Sequence, residues 1–157
     1  MDSEPGPGRL YAGNHVFMSD VFERVLLPVA SRDDARATAS ALEPYVGDRV
    51  VAVHVVEKAG GAVDKASVEQ REEEAERIFA VVHEKLGDLV DVETRIDYGT
   101  DVAETIFAAA ADVDATSVVF TPRSGSRWVR LLTGDVALDL ITKRDRPVIV
   151  LPDRGEE

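Results

Sequence analysis

A chain of 157 residues with 45% hydrophobic content has room for one sizeable core and not for two ordinary domains. Its 30 acidic residues against 18 basic ones leave a net charge of −12, a surface that repels nucleic acid and anionic membranes at ordinary salt. The lack of cysteine excludes disulfides, thiol nucleophiles and cysteine-ligated metal or iron–sulfur centres.

Residues 1–17, MDSEPGPGRLYAGNHVF, are acidic and Gly/Pro-rich with no apolar h-region. They read as a disordered extension rather than a signal peptide, and Met18 makes a natural start for the domain. The expected organisation is an extension over 1–20, one domain over 21–153 and a tail over 154–157. The first strand is expected over Arg24–Val29, a short apolar run of the kind found in buried parallel strands. From Asp33 to Tyr45, Ala35, Ala39, Leu42 and Val46 recur at helical spacing behind an acidic first turn, which suits the helix dipole. Gly47-Asp48 breaks that helix, and Arg49–Val56 reads as the second strand. A Gly-containing loop, Lys58–Asp64, leads to the longest helix, about Ser67–Leu86, with Val68, Ala75, Ile78, Phe79, Val82 and Leu86 on one stripe. A third strand is expected over Val90–Tyr98, ended by Gly99. Asp101 is placed to cap a helix over Val102–Ala111. A fourth strand over Ala115–Phe120, a helix over Asp135–Lys143 and a last strand over Pro147–Leu151 close the chain. Strands alternating with helices predict an α/β fold, a single doubly wound domain on a five-stranded parallel sheet. Ligands in such sheets bind beyond the carboxyl ends of the strands where the strand order reverses. That directs attention to the segments after the first strand (Ala30, Ser31) and after the fourth (Thr121 onward).

The segments RVLLPVASRDDA, VVAVHVVE, DYGTDVAETI, RLLTGDVA and RPVIVLP stand in the order and spacing of the universal stress protein (UspA-like) family, which the chain resembles over about residues 22–152. The resemblance implies a Rossmann-like sheet related to the adenine nucleotide alpha hydrolase fold and a stress-response or signalling role. It also implies a homodimer formed through the last strand (Val148, Ile149, Val150, Leu151). Family members divide into those that bind ATP and those that do not. The binding motif is Gly, two residues, Gly, nine residues, then Gly with Ser or Thr; it falls on Thr121, Ser124 and Gly134-Asp135. Two of its three glycines are replaced, and the hydroxyl residue is an aspartate. The aspartate that contacts the nucleotide at the end of the first strand falls on Ala30. The nucleotide site implied by the family comprises Val29, Ala30, Ser31, Val55, Thr121, Arg123, Ser124, Gly125, Gly134, Asp135 and Val136.

Glycines in a phosphate loop let backbone N–H groups approach the anion. Thr121 and Ser124 put side chains at two such points, Pro122 removes a donor, and Gly125 restores some freedom. Asp135, at the start of the last predicted helix, can accept from that helix's free N–H groups and so take the seat of a phosphate. Against a phosphate about 5 Å away, its repulsion at an effective dielectric of 20 is roughly 3 kcal/mol, about a hundredfold in affinity. Arg123, Arg127 and Arg130 pull the other way, either by binding an anion or by pairing with Asp135. The expectation is a loop that keeps its shape without holding triphosphate. A dimeric domain acting through a protein partner, with no obligatory ATP and no enzymatic activity beyond a weak ATPase, is the leading function. The alternative is an ATP- or AMP-binding switch with altered contacts.

Other residues carry less. His15, His54 and His83 are scattered and make no metal or catalytic site, and Trp128 is expected to pack against the sheet. A phospho-acceptor receiver would need acids after the first strand and an aspartate ending the third, where the chain has Ala30-Ser31 and Tyr98-Gly99. Arginines supply the basic charge except at Lys58, Lys65, Lys85 and Lys143. That acidic, lysine-poor composition is expected of a salt-accumulating halophile, and a cytoplasmic location follows by default.

Overall fold

The computed structural model describes residues 21–58, 65–121 and 146–152. In chain order the elements are β1 (Arg24–Pro28), α1 (Arg32–Leu42), a 3-10 turn (Glu43–Tyr45), β2 (Arg49–Glu57), α2 (Lys65–Leu86), β3 (Asp91–Gly99), α3 (Val102–Asp112), β4 (Ser117–Phe120) and β5 (Val148–Val150). The strands form one five-stranded sheet in the order β3-β2-β1-β4-β5, and every pairing is parallel. The expected architecture is therefore the observed one. The predicted extension over 1–20, the loop after Lys58, the helix over Asp135–Lys143 and the tail over 154–157 lie outside the described residues.

Side chains alternate across the sheet, so each strand feeds two cores. Val25, Leu27, Val29, Val50 and Ala52 face α1 and α2, meeting Ala35, Ala39, Leu42, Ala75, Ile78, Val82 and Leu86. Leu26, Val51, Val53, Val55, Val118 and Phe120 face α3, meeting Val102, Ile106, Ala109 and Ala110. Covering on both faces is why β1 and β2 read as unbroken apolar runs. The predicted stripe of α2 is the buried one from Ala75 to Leu86, with Val81 added to it.

Several boundaries shift by a residue or two from expectation, and three of the differences have identifiable reasons. α1 stops at Leu42 rather than Tyr45, because Pro44 has no N–H to continue the ladder. The Glu43 N–H reaches both Ala39 and Ser40 carbonyls instead, and the chain tightens into a 3-10 turn. β4 begins at Ser117 rather than Ala115, since the hydroxyl of Thr116 accepts the Arg24 N–H at 3.0 Å where a strand would offer a carbonyl. Gly99 lies within β3 rather than after it, and its carbonyl accepts the Lys58 N–H at 2.8 Å. A Cβ there would overlap Thr105 Oγ1, so glycine is required by close packing against α3. Gly47 has a similar reason: a Cβ would stand 2.6 Å from the Phe22 carbonyl oxygen.

Candidate functional site

Numbering along the sheet runs outward from β1 through β2 to β3, then restarts on its other side with β4 and β5. β1 and β4 therefore flank the reversal, and the crevice between their carboxyl ends is where a doubly wound sheet takes a ligand. The described walls of that crevice are the turn Val29-Ala30-Ser31 and the exit of β4 at Thr121.

The turn is held from below by α1. Ser31 has extended backbone (φ −153°, ψ 171°), and its Oγ accepts the Asp34 N–H at 3.1 Å, an N-cap that satisfies one of the free donors of the first turn. Asp34 returns the contact: its Oδ2 accepts the Ala30 N–H at 2.8 Å. This is a capping box with its acid reaching one residue further back than usual. Asp34 is only 2% exposed, and its charge is offset by that N–H and by the positive end of the helix dipole. One turn on, Thr38 donates to Asp34 Oδ1 over a long 3.4 Å and lies 2.9 Å from Thr121 Oγ1. Thr121 is fully buried. Its side chain thus turns inward, towards α1.

The end of β1 has a further support. Val29 donates to the Val53 carbonyl at 2.9 Å, and its own carbonyl lies 2.8 Å from His54 Nδ1. A carbonyl can only accept, so Nδ1 carries the proton. On this geometry His54 supports the end of β1. His83 is exposed on α2 and His15 lies outside the described residues. Among the described residues no group of three metal-ligating side chains converges, and no helix is long and apolar enough to cross a membrane.

Of the site residues implied by the resemblance, Val29, Ala30, Ser31 and Thr121 come together here. Val55 is brought close by β2, but its side chain is buried in the second core with Val102 and Ile106. Arg123, Ser124, Gly125, Gly134, Asp135 and Val136 lie outside the described residues, as do Arg127, Trp128 and Arg130. Asp34, Thr38 and His54 join the wall without having been expected in it. Ser31-x-x-Asp34 was a readable signal, the capping-box spacing, and Thr38 comes at i+4 from the acid.

The far side of the sheet carries a separate polar network. Asp97 receives two bonds from Arg95, at 2.7 and 3.0 Å, and Asp112 of α3 accepts a third at 3.2 Å. The bond to Asp97 is the main cause holding the Arg95 pKa above its ordinary value, against the effect of burial. Tyr98 donates to Glu72 at 2.9 Å; burial first and that bond second raise its pKa. These groups belong to the outer edge on β3 and not to the crevice.

Solved structures share this fold. A universal stress protein from Archaeoglobus fulgidus in complex with dAMP aligns with a TM-score of 0.57 at 19% identity, over 83% of this chain and 98% of that one. A universal stress protein in complex with cAMP aligns at 0.59 and 14% identity, over 85% and 99%. A protein of the universal stress protein family from Burkholderia pseudomallei aligns at 0.58 and 21% identity, over 84% and 97%. Identities this low establish a common fold and leave ligands to each protein. Among curated proteins none matches the chain. The family model for "Universal stress protein family" matches residues 22–152, a range that contains all of the described strands and helices, and the chain belongs to that family.

Proposed function

We propose that this universal stress protein is a cytoplasmic stress-response or signalling domain that works as a homodimer through a protein partner, without ATP as an obligatory cofactor. The observation that carries this is at the β1 turn. Ala30 stands where the resemblance puts a nucleotide-contacting aspartate, and its N–H is given to the buried carboxylate of Asp34 at 2.8 Å. A ligand at the crevice would have to displace that bond while bringing its own negative charge towards Asp33 and Asp34 in the first turn of α1. Two replaced glycines and Asp135 in the loop sequence act in the same direction. No residue of the crevice is assigned a catalytic role, and any ATP hydrolysis would be slow.

A second reading is an adenine-nucleotide switch. It is favoured by the two structural neighbours in complex with dAMP and cAMP, and by Arg123, Arg127 and Arg130. Native mass spectrometry of the protein purified without added nucleotide, with ATP and AMP titrations in molar KCl, separates the two. An empty dimer with no binding heat supports the partner-dependent domain. Co-purifying nucleotide, or micromolar binding, replaces it with the switch.

A further inference from the structure

Asp34 does more than cap a helix. Its oxygens face different parts of the molecule: Oδ2 takes the Ala30 N–H at 2.8 Å, and Oδ1 takes the Thr38 hydroxyl at 3.4 Å. A hydroxyl has one hydrogen, so a Thr38 that donates to Asp34 can only accept from Thr121. The run of bonds therefore has a direction, from Thr121 to Thr38 to Asp34, and it joins residues that are 83 apart at its Thr38–Thr121 step. Asp34, Thr38 and Thr121 are 2%, 1% and 0% exposed. In such dry surroundings hydrogen bonds are strengthened and cannot be traded for bonds to water.

We infer that Asp34 is a positioning residue that ties the two walls of the crevice together, keeping the Ala30 N–H turned into the protein and fixing the backbone where β4 ends. This deepens the proposed function, on which it rests, by naming the contact that withholds the β1 turn from a ligand. A capping residue alone would steady α1; the tie also makes the exit of β4 depend on a carboxylate in a different element.

The test is read on backbone amides of the full-length protein by ¹⁵N NMR, without nucleotide. Four proteins are compared: wild type, Asp34→Asn, Thr38→Val and the double variant. Asp34→Asn keeps the shape of the side chain and removes its charge, so the capping geometry has an acceptor. Asp34→Asn should shift the Thr121 amide and speed its hydrogen exchange about tenfold, whereas in the Thr38→Val background, where the path is cut, the same change should leave Thr121 unmoved. Ala30 should respond to Asp34→Asn in both backgrounds, because its bond to Oδ2 does not pass through Thr38. A Thr121 amide that ignores Asp34→Asn, or that responds equally with and without the Thr38 hydroxyl, overturns the tie. Because the signals are read in the free protein, failure of the tie and failure of the ATP-independent function register in different experiments.

Discussion

Asp114, in the turn between α3 and β4, has a φ of 55°, the left-handed region that costs an L-residue about 1 kcal/mol. Its return for that strain is small: a 3.8 Å ion pair with Arg24 on a side chain that is 89% exposed, worth little in water. Asp114→Gly should therefore raise stability by up to about 1 kcal/mol, or roughly 2–4 °C in melting temperature. Asp114→Val should lower it by at least as much, and a thermal melt of the pair decides. At the crevice, the sequence made Ala30 and Thr121 legible because each replaces a residue of a known pattern at a fixed spacing. The capping-box spacing of Asp34 was readable, but its burial was hidden for a physical reason. An acid in a first turn is explained by the helix dipole wherever its side chain points, and only the fold shows it buried. Thr38 was similarly absorbed into the alanine face of α1, where Ala35, Ala37, Ala39 and Ala41 are also buried. The small neighbours leave room for its hydroxyl to cross to β4.

Among the described elements, β5 is the one on which the proposed homodimer rests. It is the sheet's last strand and pairs with β4 over Val118↔Val148 to Phe120↔Val150. Its other flank has no partner among the described residues, and an open parallel edge invites a second chain. Val150 is 47% exposed, whereas Ile149 packs against the first core. Val150 is thus the residue to change, since Ile149→Lys would confuse dissociation with unfolding. Val150→Lys should turn a homodimer into monomers in sedimentation velocity with little loss of fold; an unchanged dimer would place the interface elsewhere. The elements themselves were largely legible. β1 and β2 announce burial on both faces, and Asp101 caps α3 as expected, its Oδ1 accepting the Glu104 N–H at 3.0 Å. What the sequence left open were boundaries set by single distant contacts. The Thr116 hydroxyl on Arg24 shortens β4, and no local pattern in either segment records a partner 92 residues away.

At the scale of the molecule, a net charge of −12 on 157 residues makes self-repulsion a standing term against compactness. Raising KCl from 0.1 to 1 M shortens the screening length from about 10 Å to about 3 Å. If the acidic surface belongs to a halophile, the melting temperature should climb steadily from 0.1 M to 2 M KCl; a flat or falling curve would count against that origin.

The position of β1 also has a consequence for how the chain is made. It lies between β2, which comes soon after it in the chain, and β4, whose approach begins where Arg24 meets Thr116, 92 residues later. A ribosome adding about 5–20 residues per second needs roughly 5–20 seconds to cover that interval. Once β2 has followed, the nascent strand Val25-Leu26-Leu27 has that one neighbour and, until β4 is made, nothing of the finished sheet on its other flank. The neighbour it awaits is as apolar as any sticky segment of another nascent chain. Slowing translation across this stretch should therefore lower the soluble fraction, and supplying a chaperone that binds extended apolar segments should restore it.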